Sequence, residues 1–138
     1  MTDDDLIPRK LRGLVASLEP TPLVAPSPLP ALAVTWYTMG GCWSLALALR
    51  EETGLPIELY YLRGRPSHAY VVDGDDALDA RGRNDLRLVR LGAERLEQVD
   101  AEELMARLTP VAPDIAELVD DAEVREAATR AARLVLNG

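Results

Sequence analysis

The chain has 138 residues, 48% of them hydrophobic, 28% charged and 4% aromatic, the size and make-up of one globular domain that buries a core without disulfides or metal. Its single cysteine excludes an internal disulfide, and 15 basic against 23 acidic residues, a formal net charge of −8, argue against a phosphate-neutralising face for nucleic acid. The opening Met1-Thr2-Asp3-Asp4-Asp5 is acidic where a signal peptide needs basic residues, and no apolar run approaches the ~18 residues of a membrane span. The expected location is therefore cytoplasmic, with signal-independent export equally compatible.

Pro8 to Leu18 reads as a short helix, with Leu11, Leu14, Val15 and Leu18 at helical spacing and Gly13 weakening it. Five prolines between Pro20 and Pro30 forbid a helix or a central strand there, so residues 1–30 form an N-terminal helix plus an extended, polyproline-like strap. Met39-Gly40-Gly41 leads into a helix that starts at Cys42 and closes at Gly54, a residue suited to the left-handed position after a helix. Cys42, Leu45, Ala46 and Leu49 share its apolar face, while Arg50, Glu51 and Glu52 lie toward the exposed end.

Pro56 to Leu62 is a strand ended by Arg63-Gly64-Arg65-Pro66, and His68 to Val72 is a second. Asp73-Gly74 predicts a type I′ hairpin turn, because both central residues of that turn need positive φ. Ala77 to Ala80 then returns as the partner strand. A turn at 73 and 74 pairs positions summing to 147, so Val72 faces Asp75, Tyr70 faces Ala77, and His68 faces Asp79 with Cβ atoms roughly 5 Å apart. A one-residue slip would put His68 and Asp79 on opposite faces.

Beyond Gly82 come a short apolar pattern at Leu86 to Leu91 and a helix announced by a capping box, Asp100 with Glu103, carrying Leu104 and Leu108 and stopped by Pro110. A last helix is expected from Pro113 to about Leu136. The whole, 1–138, is one domain with a core at 31–92 and acidic helices at 93–138. Glu94 through Glu126 holds eleven acids against three arginines, either a solvated outer face or a partner-docking surface.

All six aromatic residues, the only cysteine and the only histidine fall between Trp36 and Tyr70, so the core and any pocket are expected there. A thiol attacks only as thiolate, a form favoured at a helix N-terminus and beside an imidazolium. Cys42 has the first by position, and His68 would supply the second, acting as base and then as acid toward the leaving group. Asp79, accepting from the other ring nitrogen, would hold the ring, and the Cys42 N–H would donate to a developing oxyanion. Gly40 and Gly41 would let substrate approach that backbone, with Trp36, Trp43 and Tyr70 as walls of the binding site. No cofactor and no metal is needed. The partner expected is a protein or peptide substrate, with no nucleic acid and no membrane.

Gly41-Cys42-Trp43 at a helix start, then His68-Ala69-Tyr70-Val71 on a strand, then Leu78-Asp79, resembles the papain-like superfamily of cysteine enzymes. Within it the order is most similar to the transglutaminase-like branch, which has a cysteine helix, a His-Ala-aromatic strand and an aspartate. The resemblance covers Thr35 to Gly82, about a third of the chain. It implies an α+β, minimal papain-like fold, in which a Cys-bearing central helix packs on a small antiparallel sheet with extra C-terminal helices. It also implies amide or peptide acyl transfer: a peptidase first, a glutamine deamidase or transglutaminase second. Papain-type enzymes carry a glutamine six residues before the nucleophile, and here that position is Trp36, so the second oxyanion donor is unassigned, a backbone N–H among Trp36 to Met39 being one candidate.

Blander readings exist for each residue. A lone cysteine in a leucine-rich helix is an inert small core residue in most proteins, and a lone histidine on an apolar strand is usually structural. Zinc would need more Cys and His ligands than one of each, and Asp73, Asp75 and Asp76 lack the downstream glutamate of a calcium loop. The competing function is a non-catalytic binding module on the same scaffold, docking a partner through its acidic helices. A sealed Cys42, or His68 and Asp79 on opposite faces, would favour it.

Overall fold

The computed structural model describes residues 2–20 and 27–138, so the middle of the proline-rich strap, with Pro22 and Pro26, lies outside the described residues. In chain order the elements are α1 (Asp3–Leu6), a 3₁₀ turn (Arg9–Leu11), α2 (Arg12–Ala16), α3 (Ala31–Thr38), α4 (Cys42–Thr53), β1 (Ile57–Leu62), β2 (Arg65–Asp73), β3 (Asp76–Asp79) and β4 (Gly82–Asp85). There follow α5 (Leu86–Val89), β5 (Arg95–Val99), α6 (Ala101–Leu108), α7 (Pro113–Asp120) and α8 (Ala122–Asn137). The protein is α+β, with one five-stranded sheet in the order β4-β3-β2-β1-β5, every neighbouring pair antiparallel.

The helix α4 is central because its sequence is apolar nearly all round. Leu45, Ala46 and Leu49 are buried, and the helix packs against β2 on one side and α8 on the other. It stops where expected, at Gly54 with φ of 74°, whose N–H bonds the Arg50 carbonyl. Ile57, Leu59, Ala69, Val71 and Leu78 belong to the same core as α4. The alternate residues Tyr70, Val72 and Ala77 form a smaller cluster with Leu86 and Val89 of α5.

Several expectations are corrected. The strand β2 begins at Arg65 rather than His68, because Arg63 and Gly64, with φ of 55° and 72°, make the tight turn themselves. Ser67 is the extra residue of a bulge that lets Tyr61 pair with Pro66 and Tyr60 with His68. In the next hairpin Val71 pairs with Leu78, Val72 with Ala77 and Asp73 with Asp76, so the turn is Gly74-Asp75 and the register differs by two residues from the expected one. Only Gly74 of that turn has positive φ, 61°, the sign pattern of a type II′ turn. The opposed Asp73 and Asp76 are tolerated because Arg83 reaches both carboxylates, at 2.9 and 3.1 Å. A shift of two keeps every side chain on its face.

The capping box at Asp100 and Glu103 is present. The expected single last helix is two, because the Asp121 side chain accepts from the N–H groups of Glu123 and Val124 and starts α8 afresh. The core is not confined to 36–70 either, since α8 buries Val124, Ala127, Ala128, Ala131, Ala132 and Val135. The helix α3 and the strands β4 and β5 were not expected. No single helix among the described residues is long and apolar enough to cross a membrane.

Candidate active site

The site begins at the joint between α3 and α4. The N–H groups of Met39 and Gly41 both donate to the Trp36 carbonyl, at 3.1 and 2.9 Å, folding the chain back before α4 starts. That return lays the Trp36 ring on the two glycines. A Cβ on Gly41 would stand 2.5 Å from Trp36 Nε1, and one on Gly40 3.0 Å from ring carbon Cζ3. Gly41 therefore admits an indole rather than a substrate backbone, a correction to its expected role. The Trp36 N–H is buried without a hydrogen-bond partner, one of two such side-chain groups among the described residues. Because Trp36 to Thr38 belong to α3, their backbone N–H groups serve that helix, and Met39's is taken by Trp36, so none is the spare oxyanion donor expected there. The helix α4 has no side-chain cap, which leaves the Cys42 N–H without an intrahelical partner.

The β2–β3 ladder ends at the Val71–Leu78 pair, and His68 and Asp79 meet beyond it. Continuing the register puts Asp79 across from Tyr70, so His68 reaches it on the diagonal: His68 Nε2 lies 3.0 Å from Asp79 Oδ2. The Asp79 carboxylate also accepts from the Arg81 N–H at 2.9 Å, closing an Asx turn, and from the Arg81 guanidinium at 3.0 Å. Cys42 lies beside the same imidazole, close enough to raise its pKa. With Nε2 turned to Asp79, Nδ1 is the nitrogen left for the thiol.

Burial alone would lower the His68 pKa, but Asp79 and Cys42 outweigh it and push it up to about 9. Burial acts the opposite way on Asp79, where His68 and Arg81 prevail and hold the carboxyl at about 2. At neutral pH the arrangement favours an imidazolium over a carboxylate, which holds the ring by charge as well as by geometry. The three groups are enclosed, Cys42 being 1% exposed and the His68 side chain 16%.

Gly40 and Trp43 line a groove of about 860 Å³ that runs on past Ser67, the neighbour of His68, toward Val111 and Ile115 at the C-terminal end of α6 and the start of α7. The acidic helices thus supply a groove wall, not only an outer surface. Trp36 and Tyr70 do not line it. Tyr70 is fully buried, its ring centroid 5.7 Å from that of His68, and its hydroxyl donates to Glu58. Glu58, which also accepts from Arg90 Nη2 and Nε at 2.6 and 2.9 Å, is not among the site residues expected from the sequence, nor is Arg81. Asp79-Ala80-Arg81-Gly82 was the available signal for Arg81, since aspartate followed two residues later by a free N–H is an Asx-turn pattern. Nothing local marks the Glu58–Arg90 pair, which spans 32 residues.

Among the described residues no group of three or more His, Cys, Asp or Glu side chains is placed to hold a metal ion. Comparison with family models, with curated proteins and with solved structures found no match.

Proposed function

We propose that the protein is a thiol acyl-transfer enzyme in which Cys42 is the nucleophile, His68 the base and then the acid, and Asp79 the residue that orients the ring. One observation carries the reading: a single imidazole hydrogen-bonded to a buried carboxylate and electrostatically coupled to a thiol at a helix start. With the thiol's proton already on Nδ1 of the imidazolium, the sulfur bonds to the carbonyl carbon and the carbonyl π pair moves to oxygen. His68 then gives that proton to the departing nitrogen as the C–N bond breaks, leaving a thioester. Water releases the acid in a peptidase or deamidase, and an amine releases a new amide in a transglutaminase. The Cys42 N–H and the unpartnered Trp36 N–H, whose ring packs on Gly41, are the candidate donors to the intermediate oxyanion. The likeness to papain-like and transglutaminase-like enzymes supports this order of groups. It ranks peptide hydrolysis before glutamine chemistry.

The enclosure of Cys42 favours a second reading, a non-catalytic binding scaffold with an inert thiol, because no carbonyl meets a sulfur that solvent does not reach. Iodoacetamide labelling separates the two. An enzyme labels at Cys42 in mildly acidic buffer and loses that reactivity in His68→Ala. Slow labelling that is indifferent to His68 makes the thiol a core residue and refutes the enzymatic reading.

A further inference from the structure

The groove beside Gly40 and Ser67 brings two arginines without ion-pair partners to the edge of an apolar trough. Its walls are apolar, with Trp43, Leu62, Val111 and Ile115, and one rim carries Arg63 and Arg65. In a chain of net charge −8 most arginines have acids beside them: Arg12, Arg81, Arg83, Arg87, Arg90, Arg95, Arg107 and Arg133 all form ion pairs. Arg63 and Arg65 have no carboxylate partner among the described residues. Arg65 donates to the Val111 carbonyl at 2.8 Å instead, and the one acid on the groove wall, Glu94, is engaged by the Gly64 N–H at 3.1 Å. The tight turn at Arg63-Gly64, with both residues at positive φ, fixes where the two guanidinium stems leave the hairpin. An apolar trough of this volume, with two arginines against one glutamate on its wall, is complementary to an apolar ligand that carries negative charge.

We propose that the groove binds an acidic-apolar peptide segment, an aliphatic side chain in the trough and carboxylates within one or two residues of it on Arg63 and Arg65. Because the groove opens between the residues flanking Cys42 and His68, the segment is the substrate's recognition element. That last step rests on the enzymatic reading, whereas the binding itself does not.

The test uses the full chain carrying Cys42→Ala, so that no probe is consumed, with two fluorescein-labelled tetrapeptides, Leu-Leu-Glu-Glu and Leu-Leu-Lys-Lys, followed by fluorescence anisotropy. The acidic peptide is expected to bind at least tenfold more tightly in low salt, with the margin shrinking as salt screens the pair. In the double variant Arg63→Glu, Arg65→Glu the order reverses, a result that misfolding cannot mimic. Equal affinities, a preference for the lysine peptide, or neither peptide binding while the chain self-associates through this face would each overturn the proposal. A selective groove with an inert Cys42 would refute the enzymatic reading and leave the binding site standing. A reactive Cys42 with an unselective groove would do the reverse.

Discussion

Two carboxylates are buried among the described residues, Glu58 on β1 and Asp79 at the end of β3, and each is built into the same kind of cluster. Each accepts from a ring-bearing side chain of β2, Tyr70 for Glu58 and His68 for Asp79, and each is closed by an arginine, Arg90 or Arg81. Burial raises the pKa of both acids and hydrogen-bonded partners lower it further than burial raises it, so both stay ionised. The difference lies in the ring. Burial and Glu58 push the Tyr70 phenol upward, away from neutrality, and no nucleophile touches it. The imidazole titrates at about 9 and meets a thiol. A buried carboxylate with an arginine is therefore a structural device in one place and a candidate for chemistry in the other, and the neighbouring group decides which.

The largest test sets the two acids against each other. Asp79→Ala should lower acyl transfer, read as p-nitrophenolate release from p-nitrophenyl acetate, on the order of 10³-fold or more per folded molecule. Asp79→Asn, which keeps an oxygen for the imidazole N–H, should recover part of the loss. Glu58→Ala should leave the rate within a few-fold while destabilising the fold by about 3 kcal/mol in urea unfolding, because Arg90 and Tyr70 lose their acceptor. Equal rate losses in the two variants would erase the functional distinction.

The clusters should also part company with pH. The His68 pKa is raised from 6.5 to about 9, so its contribution to stability is complete below 6.5 and lost as pH rises through 9. Asp79 is lowered from 3.8 to about 2, so its contribution is complete above 3.8 and lost as pH falls through 2. The stability difference between wild type and His68→Gln should thus be largest between those limits, at most ~3 kcal/mol, and should shrink toward pH ~10. Glu58→Gln should show no such decline on the alkaline side. Urea midpoints at three pH values read both.

Much of this was legible in the chain. Cys42 at a helix start needed only a glycine pair followed by good helix formers, and the cap at Gly54 was written in one residue. The His68–Asp79 contact was reached through a wrong register, because an error of two residues leaves the face unchanged. What could not be read depends on distance in sequence or on polar strands. The strand β5, Arg-Leu-Glu-Gln-Val, carries little β-branched content and sits on an edge. The break at Asp121 is a local cap inside a continuous helical pattern, and the Trp36 ring over Gly41 depends on how α3 turns into α4.

That ring gives a narrower test. If the Trp36 N–H donates to the oxyanion, Trp36→Phe should slow release from p-nitrophenyl acetate by about 10²-fold. Iodoacetamide alkylation, which develops no oxyanion, should stay unchanged. A parallel fall in both would mean that the indole only holds the Gly40-Gly41 joint in place.

The smallest effect bears on whether the two clusters are separate at all. Tyr70 stands between them, its hydroxyl on Glu58 and its ring beside His68. Tyr70→Phe removes the hydroxyl and keeps the ring, so it should cost about 1.5 kcal/mol of stability, with Arg90 still satisfying Glu58. The pH dependence of Cys42 labelling should not move, because His68 takes its charge balance from Asp79 and Cys42. A displaced labelling profile in Tyr70→Phe would show that the proton affinity of His68 is set partly through Tyr70 by the Glu58–Arg90 pair. The side chains of both clusters would then form one coupled network rather than a support and a site.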